Sequence, residues 1–185
     1  PHGTFAFLGA SFDGQTVYYI TEDDQIQEFL NRLNDGVWIL HHAKYDITQL
    51  RRFADIPRRK NLWDTMLIEQ VMFSGYYTDF SLADLVRRYL GVYMPKDVRS
   101  EFSDDTVLEM TREQLEYSAS DVAYTWRVEQ AQKEKICPED MKIYRDIELP
   151  FMWTLLSMSG VRLDVDKWTA LAKKNEETAK SIQDK

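Results

Sequence analysis

An α/β domain with a helical extension is the fold class this sequence predicts, on three observations. "TFAFLGASF" (4–12) and "TVYYIT" (16–21) are short runs rich in aromatic and β-branched residues. "VWILHH" (37–42) is short and continuously apolar at its start. Beyond it, most segments repeat their apolar residues at helical spacing. The 185 residues suffice for one core-forming domain plus an appendage, and 44% hydrophobic with 29% charged residues mark a globular rather than a disordered chain.

Each element follows from local chemistry. The first two runs, separated by "DGQ", predict a β-hairpin. "DDQIQEFLNRLND" places Ile26, Phe29, Leu30 and Leu33 on one helical face, with Gly36 as C-cap. "VWILHH" fits a strand in the middle of a sheet covered on both faces. The pattern then turns helical. "AKYDITQLRRFA" forms one helix ending near "DIP", and "NLWDTMLIEQVMF" a short strand or turn and a second helix. "SLADLVRRYLG" forms a third, with Ser81 as N-cap and Gly91 just past its end. "VYMPKDVRSEFSDDTVLEM" has little periodicity and predicts a surface loop. "TREQ" (111–114) is a capping box in which Thr111 caps and Gln114 reaches back, opening a long helix to about Lys135. "CPED" interrupts it, and "IELPFMWTLLSMSG" predicts an apolar helix kinked at Pro150. "VRLDVD" is an extended link before a final amphipathic helix. The composition shift near residue 138 divides the chain into 1–137 and 138–185.

Charge narrows the function. A net charge of −8 and a pI near 4.9 argue against gripping duplex nucleic acid over a broad surface, but not against a narrow strand-binding groove. Basic residues do cluster, in "RRFADIPRRK", at Arg87-Arg88, and at Lys96 and Arg99; taken singly, such clusters are usually solvated helix faces. No apolar run approaches the roughly 20 residues of a membrane span, and the first residues lack the features of a secretory signal. Cys137 is the one cysteine, which allows no internal disulfide and fits a reducing compartment.

Four residues are candidates for chemistry or for positioning a substrate. Tyr117 and Asp121 stand at i and i+4, so they project from one helix face. The carboxylate suits a hard cation such as Mg²⁺ or Mn²⁺, and a phenol one turn away suits orienting a water. An isolated pair of this kind is more often an interfacial tyrosine beside a surface aspartate. Asp46 follows a buried strand at its carboxyl end, where ligand sites in open α/β sheets lie. Alone, it is more often a helix N-terminal acid favoured by the macrodipole. His42, too, is by itself more often structural, although beside a carboxylate it suits positioning a substrate. No Gly-rich phosphate loop, Ser/His/Asp arrangement or cysteine-rich metal cluster appears.

Taken in order, these pieces carry a resemblance. "HHAKYDITQL" resembles the second motif of the 3′–5′ exonuclease domain of family A DNA polymerases, within the DnaQ-like, RNase H-like superfamily. "LWDTMLIEQVMFSG" and "SLADLVRRYLGV" are similar to the helices that follow it. "KDVRSEF" resembles the Lys-x-x-(Gln/Arg)-x-Ser segment, and "MTREQLEYSASDV" the third motif. "IELPFMWTLLSMSGVRLDVDKW" is similar to the link joining this exonuclease to a polymerase body. The resemblance covers essentially the whole chain.

It implies an RNase H-like mixed sheet flanked by helices, five-stranded in the family and with fewer strands here, an exonuclease domain over 1–137 lacking its first strand, and a helical linker over 138–185 leading toward a polymerase domain. It implies a two-metal phosphodiesterase, using Mg²⁺ or Mn²⁺, that trims the 3′ end of single-stranded DNA and proofreads for the attached polymerase. Asp46 and Asp121 would hold metal, with Tyr117 lining up the attacking water. Lys44, Lys96, Arg99 and Ser100 would contact phosphate, and His42 and Phe102 sugar or base. A cytoplasmic setting, in a bacterium or a phage-infected cell, goes with this. Two departures stand out. His42 occupies a position where the family usually has Asn. The first motif, Asp-x-Glu on a strand between the hairpin and "VWILHH", is expected upstream of Pro1, and the site as it stands is expected to be weak. The rivals are a silent exonuclease-like domain that braces a polymerase, and a ribonuclease D-like exoribonuclease.

Overall fold

A computed structural model describes residues 7–33, 36–94, 111–158, 160 and 162–183. Leu8–Ala10 (β1) and Tyr18–Ile20 (β2) pair antiparallel, with Leu8 opposite Ile20, so the expected hairpin forms. Side chains build its turn. The Asp13 carboxylate accepts the N–H groups of Gln15 (2.9 Å) and Thr16 (2.7 Å), and Ser11 Oγ accepts that of Gly14 (3.0 Å). These backbone donors hold the Asp13 carboxyl below its usual range. Gly14 has φ 68°, and a Cβ placed there would lie 2.4 Å from Cδ1 of Trp126. Only glycine tolerates both that backbone and that approach. Gly14→Ala is expected to cost about 2 kcal/mol, read as a lower urea midpoint with an unchanged slope.

A 3₁₀ turn, Asp23–Gln25, leads into Ile26–Arg32 (α1), which buries Ile26 and Leu30. Trp38–Leu40 (β3) and Leu62–Asp64 (β4) pair in parallel, Leu40 opposite Asp64, with Ala43–Leu50 (α2) in the crossover between them. Thr65–Phe73 (α3) and Leu82–Leu90 (α4) follow. Ser81 caps α4 by accepting the Asp84 N–H, and Gly91 ends it at φ 67°, as the residue types predict. Arg112–Lys133 (α5) opens on the full reciprocal box of Thr111 and Gln114.

After Pro138–Ile143 (α6) comes a π-helical turn, Tyr144–Glu148, then Leu149–Ser157 (α7) and Val165–Gln183 (α8). The expected irregularity at Pro150 takes this form: Leu149 N–H bonds to Tyr144 O, five residues back. Pro150 has no N–H, and its ring would crowd the carbonyl four residues earlier, so the helix widens just before it.

The described residues build the expected mixture of helices and strands, with fewer than the five strands of the family. They form two separate two-stranded sheets, β1–β2 and β3–β4, in a fold dominated by helices, and α5 lies against both β1 and β3. Strands are also shorter than expected; β3 ends at Leu40 because His42 takes up a left-handed conformation that starts α2. The main core gathers Ile26, Ile47, Leu62, Trp63 and Ile68 with Tyr144, Leu149, Met152 and Trp153, so the segment from 138 to Ser157 packs into it. A smaller cluster joins Leu85 and Val86 of α4 to Val128 of α5. Helix α8 buries no residue. Among the described residues, no helix is long and apolar enough to cross a membrane.

Candidate functional site

The two histidines after β3 divide two tasks. Thr65 Oγ1 donates to Leu40 O (3.3 Å) and lies 2.9 Å from His41 Nδ1. With the hydroxyl proton directed at Leu40, the Nδ1–H of His41 is the donor, and the ring pins the strand end to α3. His42 adopts φ 64°, ψ 52°, a conformation that costs a non-glycine residue about 1 kcal/mol. It is held there by its N–H, which donates to Asp64 Oδ1 at 3.1 Å. The strained residue lets the chain turn from strand to helix within two residues. Its exposed ring stacks beside Tyr45, 6.1 Å between centroids, next to the exposed Lys44.

Asp46 lies in the first turn of α2, half-buried, and among the described residues it makes no ion pair or hydrogen bond. Burial, and after it the charge of Asp64, push its carboxyl up from 3.8 to about 7. Asp64 itself is fully buried at the end of β4. Its Oδ1 accepts the N–H groups of His42, Met66 (3.0 Å) and Leu67 (3.3 Å), and its Oδ2 that of Ala43 (2.8 Å). One carboxylate therefore caps α2 and α3 together. Burial raises its pKa, while the four backbone donors pull the other way. Sequence reasoning passed over Asp64. The signal was present, since Asp-Thr immediately before an apolar helical run marks an N-cap.

Tyr117 and Asp121 fall within α5, one turn apart and both half-buried. Eleven residues span just over three whole turns, so Asp121 shares a helix face with Val128 and Gln132, both fully buried. The adjacent face meets the hairpin: Tyr19 Oη donates to Leu115 O (2.7 Å), and a Cβ on Gly9 would lie 3.4 Å from Val122 Cγ2.

A second buried polar group also escaped the sequence. Gln132 Oε1 accepts the indole N–H of Trp63 (3.1 Å), and its Nε2 donates to Thr65 O (2.8 Å) and Glu69 Oε2 (2.9 Å). Glu69 accepts Tyr89 Oη (2.6 Å) and faces Arg88 at 3.5 Å. A glutamate inside the apolar run of α3 was the clue, because a charge there needs partners.

The structure thus places Asp46 in the first turn of α2, the helix that follows β3, and Tyr117 with Asp121 on α5, which lies against β3. The acidic neighbour whose charge bears on Asp46 is Asp64. Lys96, Arg99, Ser100 and Phe102 lie outside the described residues. Among the described residues no three histidine, cysteine or acidic side chains form a group suited to a metal ion. The family model described as 3′-5′ exonuclease matches residues 11–136, a span that includes Asp46, Asp64, Tyr117, Asp121 and Gln132. No curated protein matches the chain.

Proposed function

The chain belongs to the 3′-5′ exonuclease domain family of family A DNA polymerases, and on that premise we propose that it removes nucleotides from the 3′ end of single-stranded DNA. The observation that carries the reading is Asp46: a half-buried carboxylate in the first turn of the helix that follows a parallel strand, with no counter-charge among the described residues. A carboxyl kept partly out of water beside a second acid is held against its own solvation, and a cation relieves that conflict.

The donor chemistry fits a hard divalent ion. Mg²⁺ characteristically takes one or two carboxylates and completes its shell with water and substrate phosphate, so a pair such as Asp46 and Asp121 is compatible with Mg²⁺ or Mn²⁺. When bound, two such ions supply charge stabilisation at the phosphoryl group and the departing 3′ oxygen. Tyr117, one turn from Asp121, would orient the attacking water through its hydroxyl. His42 and Lys44 sit exposed at the rim, where a strand's sugar and phosphate can reach them. Lys96, Arg99, Ser100 and Phe102 complete the proposed strand contacts, which need stacking and local charge rather than a basic protein.

A mispaired end frays more readily than a paired one, so such a site favours proofreading. In this reading a polymerase domain is attached downstream. The exposed Trp168 and Leu171 of α8 support it, as apolar side chains of the kind that pack on a neighbouring domain.

The test is a 5′-labelled single-stranded oligonucleotide with Mn²⁺. The parent should shorten it stepwise from the 3′ end, and Asp121→Ala should slow that by about 100-fold or more. Equal shortening by both proteins overturns the assignment. Cleavage by neither leaves the silent, bracing domain as the better account.

A further inference from the structure

Two acids on different helices can share ions only if something sets those helices in register, and the corner where β4 becomes α3 is built to do so. Three consecutive residues there, Trp63, Asp64 and Thr65, are all buried. Asp64 holds the start of α2 through the N–H groups of His42 and Ala43, three residues before Asp46. The residues on either side, Trp63 and Thr65, are both held by Gln132 of α5.

We infer that Gln132 is a positioning residue: it locks α5 axially onto the Trp63–Thr65 corner and so sets where Asp121 stands relative to Asp46.

Three facts support this. First, Gln132 is completely buried, with its oxygen and its nitrogen both hydrogen-bonded and its amide engaging two successive structural units, β4 and α3. An amide fully satisfied at fixed angles specifies register, which the apolar contacts of Val128 with α4 do not. Second, Asp121 lies eleven residues away on the same helix face, about 16 Å along a rigid helix, so an axial slip at Gln132 passes undiminished to the carboxylate. Third, the Tyr19 bond to α5 joins it to a hairpin that, among the described residues, forms a sheet separate from β3–β4. That tie fixes α5 to the hairpin rather than to the corner that holds the start of α2. Glu69 extends the lock by joining Gln132 to Tyr89 of α4.

The consequence for cleavage rests on the exonuclease reading; the geometry does not, and the experiment separates them. Spin labels at Thr48→Cys on α2 and Glu116→Cys on α5, in a Cys137→Ser background, report the separation of the two helices. Both sites are exposed. Gln132→Met, similar in volume but without the amide, should shift that distance by about 1 Å or visibly broaden its distribution, and lower the cleavage rate by about 100-fold with the KM for DNA unchanged. Leu30→Ala, a cavity in α1 that removes no hydrogen bond of the corner, should leave the distance unmoved despite lower stability. Should Gln132→Met fail to fold, Trp63→Phe removes one of the three bonds and should give a smaller change in the same direction. An unaltered distance in a folded variant overturns the inference, as does an equal change in Leu30→Ala. A shifted distance in a protein that never cleaves DNA upholds the positioning role and removes the nuclease reading.

Discussion

Asp64→Ala is expected to lower the free energy of unfolding by about 4 kcal/mol, a large part of what holds a domain of this size together. The reason is the number of donors that depend on one side chain. The N–H groups of His42, Ala43, Met66 and Leu67 all end on this carboxylate, and they are the otherwise unpaired first donors of two helices. A typical N-cap substitution costs about 1 kcal/mol; here two caps go together, the site is sealed from water, and the left-handed His42 loses the bond that holds it. Asp64→Asn keeps one accepting oxygen but aims an amide N–H₂ at backbone donors, so it should lose about 2 kcal/mol. Urea unfolding followed by tryptophan emission reports this directly, since Trp63 adjoins the site. If Asp64→Ala stays within about 0.5 kcal/mol of the parent, the double cap is not what organises the corner.

Asp46→Asn should do the opposite to stability while abolishing cleavage. The Asp46 carboxyl titrates at about 7 when folded against an ordinary 3.8, so between those values the folded state holds a proton that the unfolded state has released. Stability therefore falls as pH rises through that window and levels off above it. The full shift corresponds to about 1.4 kcal/mol per pH unit; residual solvent contact at this partly buried group reduces the whole to about 2 kcal/mol. Asn cannot ionise, so the variant should exceed the parent by about 2 kcal/mol at about pH 8 and match it near about pH 4.

Mn²⁺ should raise the melting temperature of the parent at the higher pH and leave the variant unchanged, since a cation that binds the folded form alone stabilises it by mass action. Cleavage should drop by about 100-fold or more in the variant at every pH. A variant less stable than the parent at alkaline pH would mean that the carboxylate has a stabilising partner, and the cation reading would lose its support. Stability gained as activity is lost marks a group retained for chemistry rather than for folding.

Much of this was legible in the residues themselves. The hairpin, the caps at Ser81, Gly91 and Thr111 and the box completed by Gln114 all follow from short-range chemistry, and the structure shows each of them; where a kink was expected at Pro150 it has a π-helical turn just before that residue. Tyr117 and Asp121 on one helix face follow from spacing alone. Asp64 was legible as a cap of α3, but its hold on α2 was not, because the donors of His42 and Ala43 lie more than twenty residues away in the chain. His42, read from the sequence as structural or substrate-positioning, is the strained residue at the start of its own helix.

The local code of this chain, then, specified its helices, their ends and the acids they carry, since propensity, capping and periodicity act within a few residues. Which strands pair, how far α5 slides along the β4–α3 corner, and why the Asp46 carboxyl titrates near neutrality were decided only on folding. Those properties depend on burial and on partners distant in sequence, brought together by the packing of Gln132, Asp64 and the core around them.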